Sequence, residues 1–213
     1  MLSDKSSDSD RLVVAHREMD GEVRKGRLIV VSGPSGVGKS TLIEEFLKQD
    51  GQSGFSVSYT TRQKRRQEVN GREYHFVDRQ KFDEMVGGDR FLEWESVHGN
   101  MYGTPKQEIL NTLHGGKDII LDIDVKGALN VKKQCSNACL IFIEPPSAED
   151  LVRRLTFRGE KDIELRMKRV KEEIAQKASF EYTIMNDDLK RAYDTFKDTI
   201  RIIRSKGNGK NNC

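Results

Sequence analysis

The stretch "GPSGVGKS", residues 33–40, decides how the rest of the chain is read. It fits G-x-x-x-x-G-K-[ST]. It lies between "RLIVVS" (27–32), a short β-branched run, and "TLIEEFLKQ" (41–49), whose apolar residues recur at helical spacing. Strand, glycine loop and helix in that order form the context in which this pattern wraps phosphate. Gly33, Gly36 and Gly38 let the loop through Pro34, Ser35 and Val37 turn its backbone N–H groups onto phosphate oxygens, and the following helix adds a favourable dipole. Lys39 can reach the β- and γ-phosphates, the Ser40 hydroxyl can ligate Mg²⁺, and Thr41 completes the candidate ATP-binding set. The chain is therefore expected to bind a nucleoside triphosphate, while the loop alone leaves GTPase, ATPase and kinase open.

Outward from this loop, "DIILDID" (118–124) and "CLIFIE" (139–144) read as further buried strands, the latter stopped by Pro145 and Pro146. "SAEDLVRRLTFR" opens with a Ser147 cap, "DIELRMKRVKEEIAQKA" continues as a charged amphipathic helix, "YTIM" is a last strand and residues 188–203 a closing helix. Alternation of this kind predicts an α/β fold with a mainly parallel sheet covered by helices. Between about 55 and 104 the pattern changes to short aromatic pieces such as "REYHFV" and "FLEWE", which predict a small, partly antiparallel insertion. Residues 1–24 read as a flexible extension and 207–213 as a frayed tail.

Composition narrows the function. The 213 residues suit one sizeable domain, and a net charge of only +3 with 33% charged residues argues against a protein that coats nucleic acid. No apolar run approaches a membrane span, and Asp4, Asp8 and Asp10 stand where a targeting peptide would be basic. The three cysteines match neither a paired zinc-site pattern nor a secreted disulfide framework, so a cytoplasmic home is expected. "DVKG" (124–127) has the D-x-x-G spacing of a GTPase switch, but no N-K-x-D base reader follows it. The acidic end of the "DIILDID" strand instead suits a carboxylate, Asp122 or Asp124, facing the phosphates directly or through Mg²⁺-bound water, the alternative being a plain cap on the next helix, more readily for Asp124 than for Asp122.

One basic cluster remains, in "SVSYTTRQKRRQEVNGREY" (56–74), with Arg62, Lys64, Arg65 and Arg66 close together. A solvated charge run explains Lys64 and Arg66. It does not explain why Ser58, Thr60, Thr61 and Tyr74 accompany the arginines. Guanidinium forks and hydroxyls together suit a single phosphate monoester, so an acceptor-phosphate site is the sharper reading.

The segments "GPSGVGKST", "SVSYTTR", "GREYHFV", "FLEWESVHGNMYGTP", "ILDIDVKG", "RRLTFRG" and "MND" together resemble the guanylate kinases, which move phosphate from ATP to GMP. The resemblance implies a P-loop domain over 25–206. Its parallel-sheet core would hold 25–54, 105–146 and 176–206, its GMP-binding insertion 55–104, and its helical lid about 147–175. It implies that Arg62, Arg65, Tyr74 and Tyr102 meet the acceptor phosphate, and that Ser58, Glu93 and Thr104 read guanine with Asp122 nearby. It further implies that Arg154, Arg158 and Arg169 are lid arginines acting with Lys39, and that Asn186 and Asp187 lie along the adenine of ATP. Mg²⁺ is implied as cofactor, ATP and GMP as ligands, and the oligomeric state stays open. Chemistry agrees at Glu93: a carboxylate accepts both N1–H and the N2 amino group of guanine, and the Thr104 hydroxyl can donate to O6. Arg153 and Arg166 read as solvated helix charges, and Trp94 as a core residue. The chain departs from the family pattern at Lys64, Arg66 and Gln67, where a proline and a glycine are usual, and in the lid segment "RGEKDIE".

Overall fold

A computed structural model describes residues 25–97, 99–157 and 163–206. The expected extension 1–24, the tail 207–213 and Arg158 lie outside the described residues.

Strand β1 (Leu28–Ser32) is buried along its whole length and is the centre of a parallel sheet. It pairs with β7 (Asp118–Asp122) on one side and β8 (Cys139–Glu144) on the other. β2 (Ser53–Phe55) extends the sheet beyond β7, and β9 (Tyr182–Met185) extends it beyond β8, giving the order β2-β7-β1-β8-β9. Alternate residues of β1 feed two cores. Ile29 and Val31 join Leu42, Phe46, Phe196 and Ile200, whereas Leu28 and Val30 join Ile109, Leu113, Val131 and Phe142. A strand buried on both faces has no polar positions, which is why it reads as a continuous apolar run.

Helices α1 (Lys39–Leu47) and α7 (Leu189–Ser205) cover the first face, where Phe46 meets Phe196 edge-on at 5.3 Å. Helices α3 (Lys106–His114) and α4 (Val125–Gln134) cover the second. Ser147 caps α5 (Ala148–Phe157) by accepting from the Asp150 N–H, as the sequence suggests, and Asp188, read from the sequence as the first residue of the closing helix, caps α7 by accepting from the Arg191 N–H. α6 (Ile163–Ala175) packs on α5 and buries Val170 in the first core. Its C-terminal end becomes a separate 3₁₀ turn at Lys177–Ser179 instead of continuing as α-helix.

A second sheet carries β3 (Tyr59–Thr60), β4 (His75–Phe76), β5 (Phe91–Val97) and β6 (Asn100–Pro105) in the order β4-β3-β6-β5. Pairing is parallel between β3 and β4 and antiparallel elsewhere, so the expectation of a partly antiparallel unit holds. Helix α2 (Arg79–Gly87) was not expected from the sequence; Asp78 caps it, and Phe82 is its one buried residue, stacked on Phe91. β5 lies against α4, which brings the second sheet to the carboxyl ends of β7 and β1. Trp94 is 46% exposed and does not belong to a core, because Glu93 beside it takes the inward position and successive strand residues face opposite ways.

Cys135, at the end of α4, is buried, while Cys139 is a free, half-buried thiol. No described helix is long and apolar enough to cross a membrane.

Candidate active site

The loop 33–40 leaves β1 and enters α1 at Gly38, whose φ of 102° favours glycine. A side chain there would also strike the Asn186 amide, with Nδ2 only 2.4 Å from the site of a Cβ. That amide donates to the Val37 carbonyl at 2.7 Å, so the strand-to-helix turn after β9 is fastened to the loop. Arg154 of α5 spans the same joint, donating to the carbonyls of Val37 at 3.1 Å and Asn186 at 2.8 Å. Gly36, Gly38, Thr41, Arg154, Asn186 and Asp187 line a cleft of about 400 Å³ beside the loop. Asp187 pairs with Arg191 at 3.3 Å, and Pro34 is buried while Ser35 is exposed.

At the other end of the loop, Lys39 Nζ donates to the Gly33 carbonyl at 3.0 Å and lies 3.8 Å from Asp122 Oδ1. The Ser40 hydroxyl donates to Asp122 Oδ2 at 2.7 Å. Asp122 closes β7, next to β1, so parallel pairing alone brings this carboxylate to the phosphate loop. Among the described residues no cluster of three or more His, Cys, Asp or Glu side chains could hold a metal. Two oxygens beside a phosphate cradle fit Mg²⁺, which keeps most of its shell as water and phosphate oxygen and needs few protein ligands.

The candidate acceptor residues share one row of the second sheet. Glu93 pairs with Thr104, and continuing the β3 registers by one residue sets Ser58 between Thr104 and Tyr74. Tyr102 lies two residues from Thr104 on the same face, its ring 5.7 Å from that of Tyr74. The Thr104 hydroxyl donates to Glu93 Oε1, and both side chains are buried. Burial, with lesser contributions from Asp124 and Glu95, pushes the Glu93 carboxyl up to about 7 against the opposing Thr104 hydrogen bond. Burial likewise pushes Tyr74 up to about 12, reinforced by Asp122, so the far end of the row approaches the phosphate loop.

Arg62 lies over the Tyr74 ring at 5.4 Å and grips Glu68 with both terminal nitrogens, at 3.1 and 2.7 Å. Glu68 also accepts from the Arg65 backbone N–H at 2.7 Å and holds Lys64 through its carbonyl at 3.0 Å. Glu68, which the sequence does not single out, therefore organises the basic loop. The Arg65 side chain is exposed. Glu68 and, to a lesser degree, a hydrogen bond with Tyr102 favour the charged Arg62 guanidinium against its partial burial.

The Guanylate kinase family model matches residues 25–202. The chain belongs to the guanylate kinase family. It is 47% identical over 187 residues to a guanylate kinase of Carboxydothermus hydrogenoformans, covering 86% of this chain and 92% of the relative. Against a guanylate kinase of Thermotoga maritima it is 42% identical over 185 residues, covering 85% and 89%. A crystal structure of guanylate kinase from Anaplasma phagocytophilum superposes with a TM-score of 0.75 at 31% identity, covering 86% of this chain and 88% of that one.

Within this guanylate kinase fold, two residues near the phosphate loop differ from what the sequence suggests. Arg166, read as a solvated charge, has Nη1 3.5 Å from Ser35 Oγ. The reason is helical phase: Arg166 stands one turn before buried Val170 and shares its inward stripe, and Arg169, one turn before Glu173, is near enough to act on that carboxyl. Glu173 continues that stripe beside Lys39; burial pushes its carboxyl up to about 7, with Lys39 opposing and Asp124 reinforcing. Phasing α6 on Val170 would have found both. Asp124, left open between phosphate site and cap, accepts from the Gly127 N–H at 2.9 Å and caps α4.

Proposed function

We propose that this chain transfers the γ-phosphate of ATP to GMP, giving ADP and GDP. Membership of the guanylate kinase family supports the reaction class. The observation that carries the substrate is the buried Glu93–Thr104 pair on the row shared with Ser58 and Tyr74. Guanine presents N1–H and N2–H side by side to such a carboxylate, and the Thr104 hydroxyl can turn from Glu93 to the base O6. Adenine presents an unprotonated N1 and would leave the carboxylate unpaired; sites built this way discriminate by about 10⁴-fold.

In this reading the cleft at Asn186 and Asp187 takes the adenine of ATP, and residues 33–41 wrap its phosphates. Arg62, Arg65, Tyr74 and Tyr102 hold the phosphate of GMP. Mg²⁺ beside Ser40, with Asp122 next to it, would neutralise charge between the β- and γ-phosphates. Lys39 leaves the Gly33 carbonyl for the transferred group, and the lid arginines Arg154, Arg158 and Arg169, joined by Arg166, bring positive charge to its oxygens. No covalent intermediate is required: positioning and charge suffice once water is excluded. A lid at about 147–175, an insertion at 55–104 and a cytoplasmic location belong to the same proposal. A coupled assay of ADP formation with each nucleoside monophosphate tests it. Turnover with GMP and little with AMP, CMP or UMP is the expected result, and preference for AMP overturns it.

A further inference from the structure

We propose that Gly127 is a positioning residue for Glu93 and thereby sets the selectivity for the acceptor base; this rests on the reading of Glu93 given above. Gly127 is the third residue of α4, its N–H capped by Asp124 at 2.9 Å. Its backbone is outside the positive-φ region, so the helix itself does not require glycine there. Helix propensity favours alanine at such a position. A reason must therefore come from a neighbour.

The neighbour is Glu93. A Cβ built at Gly127 would lie 2.9 Å from Glu93 Oε2 and 3.3 Å from its Cδ, whereas the next nearest atom, Ile123 Cδ1, is at an ordinary 3.5 Å. The other carboxylate oxygen, Oε1, accepts from Thr104. The carboxylate is thus lodged between a hydroxyl on β6 and the bare backbone of α4. The D-x-x-G spacing at 124–127 acquires a meaning unrelated to GTPase switches: Asp124 caps the helix and Gly127 admits the carboxylate against it. A methyl group at 127 meets the movable end of a side chain, not backbone. The helix survives and Glu93 is displaced from the place where it faces a base.

The test is a double-mutant cycle in the full chain with Gly127→Ala, Glu93→Ala and the pair, measuring kcat and KM for GMP and ATP together with Tm. We expect Gly127→Ala to raise KM for GMP by roughly 10- to 100-fold, the range of loss from small misplacements of a binding group. KM for ATP and Tm should not worsen. In the Glu93→Ala background the same substitution should change nothing further, because the atom it displaces is gone. An unchanged KM for GMP in Gly127→Ala, an equal loss with and without Glu93, or a general loss with lowered Tm each overturns the inference alone. Failure of the unmodified chain to phosphorylate GMP overturns the functional reading beneath it.

Discussion

Thr104 donates its hydroxyl hydrogen to Glu93 across the paired strands β6 and β5, in a place where Thr104 is fully buried and Glu93 only 7% exposed. The pair holds an acceptor and a hydroxyl ready before any base arrives. In the proposed reading, guanine would exchange that internal bond for three to the ligand, so little would have to be reorganised.

The raised Glu93 carboxyl gives a pH dependence with a definite sign. Near 7 in the free protein, it is largely protonated at pH 6 and loses the acceptor that guanine needs. We expect kcat/KM for GMP to fall by about tenfold for each pH unit below that value. Glu93→Gln should remove this step at a lower overall level. Glu173 titrates in the same range but lies beside Lys39, so its contribution belongs to the ATP terms.

Stability follows the same group. A carboxyl whose folded value lies above its ordinary 4.5 binds its proton more tightly in the native state, so it costs stability as pH rises from there to about 7. Glu93→Gln should therefore raise Tm at pH 8 and leave it nearly unchanged at pH 4.5. The gain at 25 °C is at most about 3 kcal/mol. Thermal scans of both proteins at the two pH values measure it.

Arg166 and Arg153 separate a site role from a solvated one. Arg166 lies toward Ser35 of the phosphate loop, whereas Arg153 pairs with Asp150 on the exposed side of α5. Removing a donor aimed at developing charge costs about 10²–10³ in kcat. Steady-state rates at saturating ATP and GMP should show that loss for Arg166→Ala and almost none for Arg153→Ala.

Away from the site, Arg204 joins α7 to the ends of β2 and β7. It holds Asp50 through two bonds of 2.8 Å and Asp118 at 2.7 Å, and the Asp118 side chain is wholly buried. Arg204→Ala takes this guanidinium away from a buried carboxylate that still accepts from the Arg27 N–H at 2.9 Å, at a cost of about 1.5–3 kcal/mol. Urea unfolding monitored by circular dichroism should show the loss as a lower midpoint at unchanged slope.

The sequence made some of this legible and concealed the rest for identifiable reasons. β1 and the loop after it were plain, because a strand buried on both faces has no polar interruption and the glycine-lysine-serine spacing serves one purpose. β2 was not, since Ser53, Gly54 and Phe55 carry no period in so short a strand. α2 hid because a single buried residue, Phe82, gives a helix no visible stripe. Residue type suggested that Trp94 would be buried, but alternation with Glu93 turned it outward. The partnership of Arg62 with Glu68 and the approach of Gly127 to Glu93 depend on loop and helix packing, which spacing along the chain does not encode.

Calorimetric titration of GMP and of AMP into the free protein tests the central claim most directly, because it measures recognition of the base without requiring turnover. The account predicts saturable binding of GMP and none of AMP over the same concentrations, with the GMP signal lost in Glu93→Ala. Comparable affinities for the two nucleotides, or GMP binding that ignores Glu93→Ala, would contradict it.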